Sequence, residues 1–176
     1  MPEEERETRI EHPNRKKAAS KITRLIVVVL LLASAGLLAL VTWGGWDTLE
    51  GAKALQIFYI LLYLVMAFFV LRWSRGVLPV TSALAIIMLI FAAVSAPQWF
   101  DRDKAGFTSP ALDESLLGLL TALIVPLQIL LIAFAMSGFR QAWNVEVEHD
   151  LDDDEDRGGR DREQRPERGD ASPAPA

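Results

Sequence analysis

Uncharged apolar runs alternate with short charged gaps along the middle of the chain. Four runs contain no Asp, Glu, Lys or Arg, and each has 18 residues or more: 25–46, 54–71, 76–100 and 115–139. At about 1.5 Å per residue, helices of this length cross a hydrocarbon core of roughly 30 Å. A soluble domain would place polar residues along every helix. The pattern therefore predicts four membrane-spanning helices.

The predicted fold class is all-α, an integral membrane four-helix bundle with short loops and disordered cytoplasmic tails. We expect an N-terminal tail over residues 1–20, the bundle over 21–143 and an acidic C-terminal tail over 144–176. The predicted spans are about 24–46, 54–72, 77–99 and 113–140. Both tails are dense in charge and poor in apolar residues. Such segments cannot bury enough surface to fold alone.

Basic residues collect at one set of span ends. They precede the first span, fill the gap between spans two and three, and follow span four. In the other two gaps, acidic residues offset the basic ones. Because Lys and Arg near span ends stay in the cytoplasm, we expect both termini there. The predicted topology determinants are Lys16, Lys17, Lys21, Arg24, Arg72, Arg75 and Arg140.

Each tryptophan of the chain lies close to a span end. Tryptophan is enriched at head-group level in membrane proteins. We therefore predict five interface anchors: Trp43, Trp46, Trp73, Trp99 and Trp143.

Span four combines polar residues with a proline. Thr121 and Gln128 lie seven residues apart on one helix face and bracket Pro126. Pro126 cannot donate a hydrogen bond to the carbonyl of Ala122, so a kink is expected. Two hypotheses remain open for this patch: a structural kink held by Gln128, or part of a polar pathway.

Span two carries Gln56, Tyr59 and Tyr63 at helical spacing, so these side chains share one face. Buried Tyr and Gln side chains normally find hydrogen-bond partners on neighbouring helices. The pattern predicts an interhelical hydrogen-bond seam. A polar pathway or ligand contact is the alternative.

Spacings of three and four residues also divide the helices into faces. In span four, one face suits lipid and consists of Leu116, Leu120, Leu123, Leu127, Leu130 and Phe134. The other face is predicted to pack against neighbours and consists of Gly118, Thr121, Val125, Gln128, Ile132 and Ala135. Stripes that allow close helix approach are predicted at Ala35, Ala39 and Thr42 in span one, and at Ser82, Ala85, Leu89, Ala92 and Ala96 in span three.

The composition removes several classes of chemistry. Without cysteine there are no disulfides or thiolate metal sites. His12 and His149 lie in the tails, so paired imidazoles for a membrane-embedded haem are lacking. The four uncharged runs contain no charged residue, although pumps and transporters usually place one inside a span. We find no phosphate loop, zinc motif or nucleophile with a nearby base, and predict no catalytic, cofactor or metal residues.

These patterns favour a non-catalytic accessory or assembly subunit that acts through helix faces and tails. Its expected partners are the lipid bilayer and other membrane protein subunits, or a second copy of itself, but not nucleic acid. The alternative is a small oligomeric transporter or channel subunit for a neutral or apolar substrate. It would assemble around Thr121, Gln128, Tyr59 and Tyr63. The cysteine-free, Asp/Arg-rich composition favours a bacterial inner membrane.

Overall fold

Four long helices dominate the computed structural model, which describes residues 8–11, 17–49, 51–102, 110–143 and 146–150. Within the described residues these helices are α1 (Ala18–Gly44), α2 (Ala52–Leu71), α3 (Val77–Phe100) and α4 (Glu114–Arg140). Each is long and apolar enough to cross a membrane. The prediction of an all-α fold with four membrane-spanning helices is confirmed.

The helix ends follow local chemistry. Helix α1 begins at Ala18, earlier than the predicted start near residue 24, and ends at Gly44. Helix α3 carries Pro79 in its first turn, where the missing N–H has no intrahelical partner to lose. Helix α4 runs continuously through Pro126 and starts after an Asp113 N-cap. The spans therefore agree with the sequence prediction to within a few residues at most ends.

A seam of buried residues at spacings of three and four runs along each helix. Such spacing is the pattern of helices that pack at small crossing angles. In α4 the seam comprises Leu117, Thr121, Ile124, Gln128, Leu131, Ala135 and Gly138. In α3 it comprises Leu78, Thr81, Ala85, Met88, Ala92, Ala96 and Trp99. In α2 the buried residues are Tyr59, Tyr63, Ala67 and Val70.

The spacing of residues along each helix predicted many, but not all, of the buried positions. Four residues of the predicted packing face of α4 are buried, namely Gly118, Thr121, Gln128 and Ala135, whereas Val125 and Ile132 are half-buried. Three other almost fully buried residues of that helix, Leu117, Ile124 and Leu131, belonged to neither predicted face. In α1, Ala39 of the predicted stripe is exposed, while Ala35 and Thr42 are buried.

The helices pack in the order α2, α1, α4, α3. Helix α1 packs on both α2 and α4, and α4 packs extensively on α3. Helices α2 and α3 touch little, although the short turn over residues 72–76 joins them. Half of the apolar stretch of α1 is buried, compared with 22% of that of α2. Helices α1 and α4 are therefore central, and a gap separates most of α2 from α3.

The helical unit has two ends that differ in construction. We call the end containing residues 17–24, 71–78 and 138–143 the tail end. The opposite end, with residues 41–49, 51–52, 96–102 and 110–117, is the loop end. A large hydrophobic cluster extends from the tail end through the middle of the helices. A small second cluster at the loop end is built on Val41, Trp99 and Leu117.

A separate unit contains two short strands, β1 (Thr8–Glu11) and β2 (Val147–Asp150). They pair antiparallel, with Thr8 opposite Asp150 and Glu11 opposite Val147. These eight residues lie in the tails for which the sequence predicted disorder. The remaining tail residues, apart from those at the start of α1, lie mostly outside the described part of the chain, and disorder there stays a prediction.

Candidate functional site

Three polar side chains from three helices form a buried hydrogen-bonded network. The Tyr63 hydroxyl of α2 donates to Gln128 Oε1 of α4 at 2.9 Å. Gln128 Nε2 donates to Ser34 Oγ of α1 at 3.0 Å. The Ser34 hydroxyl donates to the Leu30 carbonyl of its own helix at 2.8 Å. We call Tyr63, Gln128 and Ser34 the Gln128 network.

All three side chains of the network have no exposed surface. A buried amide or hydroxyl is costly unless it is hydrogen-bonded. Between membrane helices such bonds contribute about 0.6–2 kcal/mol each. The sequence predicted that Tyr63 and Gln128 face other helices, but it did not identify Ser34 as their partner. The sequence did contain a signal for Ser34: it is one of the few polar residues in its span. It also lies four residues after Leu30, whose carbonyl its hydroxyl can reach.

The patch around Pro126 is divided between two sets of contacts. The Thr121 hydroxyl donates to the Leu117 carbonyl of its own helix at 2.7 Å. Gln128 instead connects to α1 and α2, and Pro126 itself is exposed. Gln128 therefore ties three helices together rather than holding the turn around Pro126. The kink stays a prediction.

Gln56 makes a second link between α1 and α2. Thr42 Oγ1 lies 2.6 Å from Gln56 Oε1 and 2.6 Å from the Leu38 carbonyl. A hydroxyl has one hydrogen, so it donates to one of these oxygens at a time. Rotation of the amide allows Gln56 to donate to Thr42 while Thr42 donates to Leu38. Two of the three predicted polar residues of span two, Gln56 and Tyr63, therefore bond to neighbouring helices.

A cavity of about 430 Å³ lies in the loop-end half of the helical unit. Ligand cavities in proteins usually measure roughly 300–1,000 Å³. Its apolar lining includes Leu38, Val41, Leu49, Leu55, Met88, Phe91, Ala92, Trp99 and Ile124. Its polar lining consists of Thr48, Gln56, Tyr59, Ser95, Gln98, Arg102 and Thr121.

The gap between α2 and α3 explains the cavity. Its lining residues from α1 and α4 are all buried, whereas Leu55 of α2 and Phe91 of α3 are each 44% exposed. Ala52 and Gln98, which line the cavity at the loop end, are also exposed, so the exposed lining lies on α2 and α3 and extends to the loop end. The lining combines residues of the large cluster, such as Met88 and Ile124, with residues of the small one, such as Trp99. The cavity thus interrupts the hydrophobic core.

Tyr59 and Tyr63 differ sharply although they are one helical turn apart. Their rings meet edge to face, with centroids 5.9 Å apart. Tyr63 belongs to the Gln128 network, whereas Tyr59 lines the cavity. Only 4% of Tyr59 is exposed, and its hydroxyl has no hydrogen-bond partner among the described residues. Sequence spacing gave the two tyrosines the same role, and the structure separates them.

The tail end is connected by contacts between residues distant in sequence. Arg24 donates to the Leu71 carbonyl at 3.2 Å, and its guanidinium lies 4.1 Å from the Trp73 ring centre. The Trp73 and Trp143 rings meet edge to face at 5.4 Å. Arg24, a predicted topology determinant, therefore also connects helices at this end.

Two further bonds reinforce the tail end. Arg75 Nε donates to the Phe139 carbonyl at 2.8 Å. Gln141 Nε2 donates to Thr23 Oγ1 at 2.9 Å, and Gln141 Oε1 accepts from the Trp143 indole at 3.0 Å. Lys17, Lys21, Arg72 and Arg140 are exposed at the same end, and Lys16 lies outside the described residues. The described basic determinants thus share one end of the helices.

The predicted interface anchors divide into two groups. Trp43 and Trp46 are 67% and 46% exposed, as contact with head groups requires. Trp99 and Trp143 are 6% and 0% exposed, so they pack inside the helical unit, and Trp73 is half-buried.

The chain matches no protein-family model, and its comparison with curated proteins and with solved structures gave no significant match.

Proposed function

We propose that this chain is a non-catalytic accessory or assembly subunit of a membrane protein complex, which binds its partner along the outward face of α2. The observation that carries this proposal is that polar side chains in the spans form hydrogen bonds with one another within the chain. Tyr63, Gln128 and Ser34 bond to one another, and Thr42 bonds to Gln56. These groups stabilise the packing of the chain itself, which leaves the outer faces for interaction.

Helix α2 offers the largest such face. Only 22% of its apolar stretch is buried, less than for any other described helix. A row at spacings of three and four carries large exposed side chains: Phe58, Leu61, Val65 and Phe68, exposed by 57%, 57%, 47% and 53%. Ridges with this spacing fit the grooves of a second helix. The proposed occupant is a transmembrane helix of another integral membrane protein.

The same geometry weighs against a transporter assembled around Thr121, Gln128, Tyr59 and Tyr63. A pathway between subunits needs polar groups on an outward surface. These four side chains are each no more than 4% exposed within a single chain. They therefore support the accessory-subunit proposal over the alternative.

We also propose that the tail end faces the cytoplasm of a bacterial cell. The basic residues Lys17, Lys21, Arg24, Arg72 and Arg75 share this end, which is the arrangement that keeps Lys and Arg inside. The loop end carries Asp47, Asp101, Asp113 and Glu114. Accessibility of an engineered cysteine at Lys17 and at Asp47 to a membrane-impermeant reagent tests the orientation, since this chain has no cysteine of its own.

Site-specific photocrosslinking in native membranes tests the proposed partner. A benzophenone amino acid at Leu61 or Val65 should give one discrete protein adduct, whereas Val29 and Leu32 on α1, which are exposed to a similar extent, serve as matched controls. The adducted protein should also co-purify in stoichiometric amount and be lost from the Leu61→Ala/Val65→Ala variant. A clean homo-oligomer, or no protein adduct from α2, would contradict the proposal.

A further inference from the structure

We infer that the cavity between α2 and α3 is a binding site for a glycerophospholipid, with the phosphate at the loop end and one acyl chain inside. This site is distinct from the outward face of α2 and does not depend on the accessory-subunit proposal. The argument uses the order of polar and apolar groups along the cavity, the direction of its opening and the unpartnered hydroxyl of Tyr59.

A positive charge lies at the mouth of the cavity. Arg102 follows the last residue of α3 closely and lines the cavity together with Thr48 and Gln98. It donates to the Thr48 carbonyl at 3.5 Å, and its guanidinium lies 5.2 Å from the Trp99 ring centre. A guanidinium matches the geometry of a phosphate group and forms charge-assisted hydrogen bonds to it. The mouth therefore suits an anionic phosphate at head-group level.

Neutral hydrogen-bonding groups come next along the cavity. Gln56, Tyr59 and Thr121 lie four to seven residues inside the loop-end start of their helices, which is about 6–10 Å at 1.5 Å per residue. The Tyr59 hydroxyl is the informative group here. It belongs to a side chain that is 96% buried yet has no hydrogen-bond partner among the described residues. The hydroxyl oxygen is not one of the buried atoms that lack a partner, so it is accessible from the cavity that Tyr59 lines, and an ester carbonyl of a lipid there would accept its hydrogen.

The deepest part of the cavity is apolar. Met88 and Ala92 of α3 and Ile124 of α4 line it, eight or more residues inside the loop-end termini of their helices. Exposed Leu55 and Phe91 flank the opening between α2 and α3. An acyl chain can therefore enter from the bilayer without crossing water. Along the cavity, a cation is followed by neutral hydrogen-bonding groups and then by apolar side chains. This is the order of the phosphate, the ester and the acyl chain in a phospholipid.

Native mass spectrometry of the detergent-purified full chain measures this binding. The probe is palmitoyl-oleoyl-phosphatidylglycerol, and the bound fraction is followed over a concentration series. Ala92→Phe fills the cavity, because Ala92 is buried and lines it. Ala93→Phe is the matched control, because its neighbour Ala93 is exposed and does not line the cavity. We expect Ala92→Phe to weaken binding by about tenfold or more, with the control unchanged.

Two further variants test the polar contacts. Arg102→Gln should weaken binding by about tenfold, whereas Arg140→Gln at the opposite end should leave it unchanged. Tyr59→Phe should weaken binding by about three- to tenfold through loss of one hydrogen bond. Since that hydroxyl bonds to no described residue, its removal should not alter the thermal stability of the lipid-free chain. sn-Glycerol 3-phosphate, which lacks acyl chains, should not bind.

Equal lipid retention by the native chain, Ala92→Phe and Tyr59→Phe would overturn the inference, because it would show that the lipid adducts lie outside the cavity. If Ala92→Phe fails to fold, Tyr59→Phe and Arg102→Gln decide the matter in the same assay. Binding of sn-glycerol 3-phosphate as tight as that of the lipid would also overturn it. Such a result would assign the mouth to a soluble phosphate ligand.

Discussion

The tail end and the loop end of the same four helices are held together in different ways. At the tail end, side chains reach between elements far apart in sequence, as in the bonds from Gln141 to Thr23 and from Arg75 to Phe139. At the loop end, several bonds are local: Thr48 to the Gly45 carbonyl and Asp113 to the first turn of α4. Bonds between distant segments hold helices side by side, whereas local bonds only shape one segment. The loop end also has bonds between distant segments, from Arg102 to the Thr48 carbonyl at 3.5 Å and from the Leu112 N–H to the Gly44 carbonyl at 3.2 Å, but fewer of its side chains make them. The cavity lies at this end.

Backbone strain follows the same division. Trp73 and Ala142 have φ angles of 63° and 49°, in the left-handed region that residues other than glycine rarely adopt. Each such residue costs about 1–2 kcal/mol. Both lie at the tail end, where Trp73 packs on Trp143. The packing there compensates for two unfavourable backbone conformations, and no described residue other than glycine has a positive φ at the loop end.

The largest predicted effect compares the two buried tryptophans. Trp143→Ala should lower the free energy of unfolding by about 3–5 kcal/mol, the usual cost of removing a fully buried tryptophan. Trp99→Ala should cost clearly less, because Trp99 already borders the cavity and belongs to the small cluster. Unfolding of each purified variant by SDS in mixed micelles measures the difference.

Trp46→Ala is the control for this comparison. Its side chain is 46% exposed, so the unfolding free energy should stay within about 0.5 kcal/mol of the native value. Equal losses for Trp143→Ala and Trp99→Ala would mean that the loop end is held as firmly as the tail end. The contrast between the ends would then have to be abandoned.

A smaller effect is expected from the Gln128 network, which lies between the two ends. Gln128→Leu leaves the Tyr63 hydroxyl buried without its acceptor, and should cost about 1–3 kcal/mol. Tyr63→Phe removes the same bond but leaves only Gln128 Oε1 unpaired. If the bond is the cause, the double variant should be destabilised by less than the sum of the two single changes. The same SDS titration gives all four values, and strict additivity would show that the bond contributes nothing.

The sequence predicted the four spans because charge is excluded from the hydrocarbon core, and this constraint acts on each run separately. It also predicted that Tyr63 and Gln128 face inwards, since helical spacing alone decides that. It could not predict Ser34 as their partner, because that depends on the register between α1 and α4. Trp43 and Trp143 both lie at span ends, so only the packing of α4 on its neighbours distinguishes the exposed one from the buried one. The sequence did not predict the cavity for a related reason. Periodicity within one helix does not reveal that α2 and α3 make little contact with each other.

The smallest predicted effect tests whether bonds at the loop end act only locally. The Asp113 carboxylate accepts hydrogen bonds from the Ser115 hydroxyl and from the backbone N–H groups of Ser115 and Leu116. These bonds hold the pKa of Asp113 below its usual range, with the Ser115 hydroxyl as the largest cause. Because the folded pKa is lowered, the cap is complete above the ordinary carboxyl pKa and is lost as pH falls through the folded value.

Asp113→Ala should speed amide hydrogen exchange at Leu116 at neutral pH without changing global unfolding. Asp113→Asn keeps a capping side chain and should retain the protection while losing its pH dependence. A change in global unfolding in Asp113→Ala as large as that of Trp99→Ala would show that this cap also helps to hold the helices together, and that bonds at the loop end do not act only locally.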